Sequence, residues 1–171
     1  MARPNFDDDA VANALFITLT DTGARLSEIT GLEVGDINLQ QRSITIRPNG
    51  VRALKTKGSQ RILPLSQSAL ELLQEHRRGK GDTQPMFPDY ARPRGRDAAS
   101  AMMMKRLRRS ITDKKLTMHS LRHRMKDKLR DTGCPEAISM AILGHSTNTV
   151  AANYGSGYAL EVMREHMERV W

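Results

Sequence analysis

The sequence predicts a single α+β domain, mainly α with a small antiparallel three-stranded β-sheet. Three observations carry that prediction. Apolar residues recur at helical spacing along most of the chain, the period drops to two only between Ile37 and Leu65, and Gly, Pro and polar clusters separate the segments. The length of 171 residues suits one domain with its own core.

Leu15, Ile17 and Leu19 follow Asp7, Asp8 and Asp9, acidic residues suited to the positive end of a buried first helix that stops at Gly23. Leu26, Ile29 and Leu32 predict a second helical segment closed by Gly35, with Arg25 at the junction. From Ile37 the alternation runs through Ile44 and Ile46, then Val51 and Leu54, then Ile62 and Leu65, with turns at PNG (48-50) and KGSQ (57-60). Helical spacing returns at Ala69, Leu70, Leu72 and Leu73 behind Ser66 as N-cap. Residues 79-95 read as a surface loop that Met86 and Phe87 anchor to the core. Further helices are predicted over 97-111, 120-131 and 135-143, the last two punctuated by Gly133, Pro135 and Gly144. Leu160, Met163, Met167 and Val170 then share one side of a final amphipathic helix. The expected organisation is one domain over 1-171: first helices 8-34, β-hairpin region 37-65, helical remainder 66-153 and a tail 154-171.

Composition narrows the function. Aromatic residues make up 4% and there are ten methionines, so the core is expected to be aliphatic with methionine as filler. Net charge is +8 and the pI about 10.1, with the excess concentrated from Arg92 to Arg130, where the carboxylates are Asp97, Asp113 and Asp127. Such a stretch suits a polyanion, because Lys and Arg that neutralise phosphates release counterions. One cysteine, Cys134, excludes an intrachain disulfide and a cysteine-rich metal site. The start MARPNFDDDAV has no signal pattern, and no apolar run approaches the roughly 18 residues of a membrane span, so a cytoplasmic, non-membrane protein is expected.

Breaking a phosphodiester by nucleophilic attack needs an oxygen nucleophile, cations on the non-bridging oxygens and a proton donor for the leaving oxygen. The sequence offers no carboxylate cluster of the kind Mg²⁺ uses, which leaves the charge to Arg and His and predicts no metal or other cofactor. Arginine suits the task because its fork pairs with phosphate and stays charged. His119 and Arg122 in HSLRH lie three apart, on one helix face. His145 follows Gly144 at a helix end, and Tyr154 comes nine residues later in ANYGSG, where flanking cations would favour the phenolate. Tyr158 and Tyr90 are the rival nucleophiles. Taken singly, each residue also fits a plain role: a solvated basic helix, a structural histidine, an exposed tyrosine.

Three separated segments together resemble the tyrosine recombinases, or phage integrases. TGARLSEITGLEVGDI at 22-37 is similar to the family's first arginine box, with Arg25 as its arginine; HSLRH at 119-123 resembles its HxxR box; and LGHSTNTVAANY at 143-154 resembles its LGH box followed by the nucleophilic tyrosine. A fourth segment, LKTKGSQRILPLS at 54-66, resembles the hairpin that carries a catalytic lysine, with Lys57 the better match and Lys55 in reserve. The basic residues Arg124, Lys126 and Lys128 depart from the more apolar helix common in the family.

The resemblance implies the tyrosine recombinase catalytic-domain fold and a site-specific DNA recombinase or integrase that needs neither metal nor ATP. Tyr154 would attack the phosphate to form a 3′-phosphotyrosyl link, Arg25 and Arg122 would hold the non-bridging oxygens, and Lys57 would protonate the leaving 5′-oxygen. His119 would accept the proton of Tyr154, His145 would hydrogen-bond the phosphate, and Glu28 would orient these groups. Double-stranded DNA is the implied partner, with a homo-oligomer (a tetramer on DNA) assembled through the C-terminal helix, in the DNA-associated cytoplasm of a bacterium or phage host. The same residues would serve a type IB topoisomerase or a resolvase of chromosome dimers. The alternative class is a non-catalytic DNA-binding protein derived from an integrase. The family's N-terminal core-binding domain is expected to be absent from these 171 residues.

Overall fold

A computed structural model describes residues 9–53, 59–145 and 157–171. Helix α1 (Ala10–Thr22) runs through the middle and is buried on nearly every side from Ala14 onward. Asp9 caps it, accepting from the Ala12 N–H at 2.9 Å, and Gly23 ends it in the left-handed conformation at φ 63°. The short α2 (Leu26–Thr30) follows at once, so the chain turns sharply around Ala24 and Arg25.

The sheet has the order β1-β2-β3, from β1 (Ile37–Asn38), β2 (Ser43–Ile46) and β3 (Arg61–Pro64), all antiparallel, with Ile44 opposite both Ile37 and Leu63. The alternation expected through Val51 stops at Ile46. Val51 sits in a turn closed by Asn49, whose side chain accepts from the Val51 and Arg52 N–H groups, and is half exposed. On β3 one expected position is reversed, since Ile62 is 44% exposed while Arg61 and Leu63 point inward; Leu65, just beyond the strand, is buried as expected. Leu54 lies outside the described residues.

Helix α3 (Gln67–His76) is capped by the Ser66 hydroxyl, which accepts from the Ala69 N–H and donates to Asp21 at the end of α1. The loop after it is pinned as expected, with Met86 and Phe87 fully buried and the Met86 N–H bonded to the Leu32 carbonyl at 2.7 Å. Helices α4 (Gly95–Leu107), α5 (Met118–Asp131), α6 (Glu136–Leu143) and α7 (Leu160–Glu168) complete the order. Met125 and Leu129 of α5 enter the core beside α1 and α6, so the basic residues that break its apolar pattern turn outward; Lys128 reaches the Val170 carbonyl. Helix α7 packs on β3 with Met163 and Met167 buried, Val170 beyond it is buried in the same core, and Trp171 donates from Nε1 to the Asp21 carbonyl at 2.7 Å. The apolar side of α7 is therefore occupied within the chain. Among the described residues no helix is long and apolar enough to cross a membrane.

Candidate active site

The C-terminal end of α6 organises the site. A helix end leaves carbonyls without intrahelical partners and carries a partial negative charge. Here three arginines from distant segments satisfy three consecutive carbonyls: Arg61 Nε donates to Ile142 at 2.8 Å, Arg122 Nη2 to Leu143, and Arg25 Nη2 to Gly144 at 3.4 Å. Gly144 adopts φ 64°, and a Cβ there would lie 2.4 Å from Arg61 Nη1. Glycine is thus required twice, by the backbone conformation and by the guanidinium packed against it. His145 comes next and is exposed.

Glu28 is the carboxylate inside this cluster, 2% exposed. It accepts from the Arg25 backbone N–H and Nη1, both at 2.8 Å, and from Arg61 Nη1 at 3.2 Å and Nη2 at 2.9 Å. Burial pushes its pKa up, but Arg61 and then Arg25 outweigh that and hold it below the ordinary carboxylate value. Because Glu28 is the third residue of α2 and Arg25 its N-cap, the backbone turn itself brings the two side chains together.

Arg122 enters from α5 and is 4% exposed, with Nη1 donating to the Gly23 carbonyl at 2.9 Å in addition to its bond to Leu143. One side chain thus ties the ends of α1 and α6. Burial, followed by the nearby Arg25 and Arg61 charges, lowers its pKa to about 10, which leaves it charged at neutral pH. His119, one turn earlier, is exposed and packs edge-on against His123 with ring centroids 4.8 Å apart. Its pKa is lowered by partial burial, then by His123, Arg122 and Arg25; that of His145 is lowered by burial, then by Arg122 and Arg25. Both imidazoles favour the neutral form, in which a ring nitrogen can accept a proton.

Arg25, Glu28, Arg122 and His145 therefore meet around one helix end, with His119 on the same face of α5 as Arg122. Lys55, Lys57 and Tyr154 lie outside the described residues. Two arginines join that were not singled out from sequence. Arg52, 3% exposed, bonds the Glu28 carbonyl at 2.7 Å and Asp36 at 3.3 Å. Arg61 has a sequence signal in hindsight: it shares the inward period of β3 with Leu63, an arginine in an apolar register.

The described surface from the start of α4 through α5 is basic. Arg94, Arg96, Lys105, Arg109, Lys114, Lys115, Arg124 and Lys126 are all exposed.

A family model described as the phage integrase family matches residues 2–159. The tyrosine recombinase XerD of Corynebacterium glutamicum is 28% identical over 165 residues, covering 92% of this chain and 50% of its own length. The tyrosine recombinase XerA of Pyrococcus furiosus is 25% identical over 165 residues, covering 94% of this chain and 55% of its own length. The chain spans about half the length of the curated relatives it matches. Among solved structures, a XerA recombinase superposes with a TM-score of 0.66 at 22% identity, over 95% of this chain and 57% of that one. The Tn1549 transposon integrase in complex with transposon right end DNA superposes with a TM-score of 0.56 at 25% identity, over 92% of this chain and 58% of that one.

Proposed function

Since the chain belongs to the phage integrase family, we propose that it is the catalytic portion of a site-specific DNA recombinase that cuts and rejoins double-stranded DNA through a 3′-phosphotyrosyl intermediate. The observation that carries this reading is the gathering of Arg25, Arg61 and Arg122 around Glu28 at the end of α6, immediately before His145. Fixed cations held by carbonyls and a carboxylate are preorganised for a phosphate whose charge grows in the transition state. Relatives named as tyrosine recombinases and a neighbour solved with transposon end DNA support the same substrate class.

In the proposed reaction Tyr154 attacks the scissile phosphate while His119, neutral at pH 7, takes its proton. Arg25 and Arg122 stabilise the non-bridging oxygens, His145 donates a hydrogen bond to one of them, and Lys57 protonates the departing 5′-oxygen. Glu28 orients Arg25. The phosphotyrosyl bond keeps the energy of the broken phosphodiester, so a 5′-hydroxyl of a second strand reverses the step without metal or ATP. Losing one charge contact costs on the order of 3 kcal/mol of transition-state stabilisation, as for a single oxyanion donor.

Residues 1-171 form one catalytic unit in this reading, working on DNA in the cytoplasm of a bacterium or phage host. The working form is a homo-oligomer, a tetramer on DNA joined through α7. With Met163 and Met167 already buried in the chain's own core, that contact needs either release of α7 from β3 or its outer side, where Val162 is exposed.

The test is a denaturing gel of the chain incubated with a randomised pool of nicked duplexes, in which covalent attachment shifts the band. Tyr154→Phe abolishes the shift, Tyr158→Phe retains it, and chelator has no effect. Attachment that survives Tyr154→Phe refutes the nucleophile assignment, and DNA cleavage that requires Mg²⁺ without attachment points to a nuclease instead.

A further inference from the structure

We infer that Arg61 is a positioning residue of the proposed strand-transfer site: it locks the Glu28 carboxylate to the end of α6 and so leaves Arg25 with donors for a phosphate. The inference rests on the strand-transfer reading and adds to it a residue that never touches the DNA.

Arg61 is the first residue of β3, and its side chain is 7% exposed. Its guanidinium makes four bonds to three segments. Nε donates to Ile142 on α6, Nη1 to the Ser59 carbonyl at 2.7 Å in the strand's own approach, and Nη1 and Nη2 to the two oxygens of Glu28. One planar group thereby sets the sheet, the first arginine box and the segment leading to His145 in a single register. The close seat of Gly144 on this guanidinium is independent evidence that the contact is built in, since any side chain at 144 would displace it.

The electrostatics give the lock its purpose. The charged groups around Glu28 are Arg25 at its own N-cap, Arg61 on β3, Arg122 on α5 and Arg52 on the loop before residue 54, the last paired with Asp36. On the far side of α2, Arg96 and Asp97 of α4 line a cavity with Ser27 and Thr30. Arg61 is the partner that meets both carboxylate oxygens through its side chain. Without it, Glu28 would draw Arg25 into a two-point pair, and its burial would no longer be offset. A lysine cannot substitute, because one ammonium cannot reach a helix-end carbonyl and both carboxylate oxygens in the plane that a guanidinium spans.

The experiment compares the full chain with Arg61→Lys and Arg61→Met, reading thermal melting, DNA affinity, the rate of covalent attachment across pH, and the ¹³C carboxyl titration of Glu28. Expected is attachment on the order of 10²-fold slower in both variants, the effect of a misplaced site, with DNA affinity changed by no more than about threefold. In Arg61→Met the Glu28 titration moves up, by about one pH unit or more. Attachment within about twofold of wild type, or a loss with Glu28 unmoved, overturns the inference. If the wild-type chain forms no covalent complex, the strand-transfer reading fails; the Glu28 titration then still decides the lock, and an unmoved carboxyl refutes it. Should Arg61→Met not fold, Arg61→Lys is judged by the same rate, affinity and titration readings.

Discussion

Glu28→Gln is the most informative single substitution for the architecture of the site. The carboxylate accepts four hydrogen bonds, two from Arg25 and two from Arg61, and is almost wholly buried. Glutamine keeps the shape but has one acceptor oxygen, and its NH₂ would face guanidinium donors. Arg61, itself 7% exposed at the side chain, would be left as a buried charge without its counterion. Removing one partner of a buried pair costs about 3–5 kcal/mol, a large part of the roughly 5–15 kcal/mol that holds a domain together. At about 2–4 °C per kcal/mol for a chain of this size, the melting temperature falls by about 6–20 °C.

Urea unfolding at pH 7 gives the free-energy difference directly, and a cycle with Arg61→Met isolates the pair: the double variant loses less than the sum of the two single ones. The pH dependence has a definite sign. The folded pKa of Glu28 lies below its ordinary value of 4.5, so its ionic contribution is complete above that value and is lost as pH falls through the lower, folded pKa. The gap between wild type and Glu28→Gln therefore narrows in acid. A cost under about 1 kcal/mol at pH 7, or a gap that does not change with pH, refutes the argument that this carboxylate holds the site together.

Other perturbations are equally specific. Gly144→Ala combines a left-handed backbone with a contact at 2.4 Å to Arg61, and is expected to destabilise by about 1–3 kcal/mol in urea unfolding. Gly95→Ala places a methyl 1.9 Å from the Tyr90 carbonyl oxygen, a backbone atom that cannot swing away, so the start of α4 must shift at a cost of at least about 1–3 kcal/mol; an unchanged urea midpoint contradicts the packing. The pKa values of His119 and His145 lie below the ordinary 6.5, so the acid limb of the covalent attachment rate should have its midpoint below 6.5, while any fall on the alkaline side belongs to Lys57; an acid limb centred above pH 7 excludes a neutral imidazole as the proton acceptor. DNA binding by the chain alone should be weak and steeply salt dependent, with Arg124→Gln and Lys126→Gln together flattening the log–log salt slope by about 2, and nanomolar affinity at physiological salt contradicts it.

Much of the fold was legible because local chemistry decides it. Ser66 caps α3, Gly23 and Gly144 stop α1 and α6 in the left-handed conformation, and Met86 and Phe87 anchor their loop, each as its residue type and spacing require. The sheet was harder to read, since its apolar residues are few and β3 carries an arginine on its inner register. Spacing alone therefore assigned Ile62 to the wrong face and extended the alternation through Val51.

The boxes around Arg25, His119, Arg122 and His145 were visible in sequence because each is local: an N-cap with its third residue, two side chains one turn apart, a histidine behind a helix-ending glycine. What joins them was not. Three guanidiniums from positions 25, 61 and 122 satisfy the last carbonyls of α6, and one buried carboxylate holds two of those arginines. A sequence determines which groups a chain can offer and how its nearest turns fold. Which donor meets which acceptor across 119 residues, as in the Arg25 bond to Gly144, is decided by packing, because only in the folded core are unpaired carbonyls and charges costly enough to select their partners.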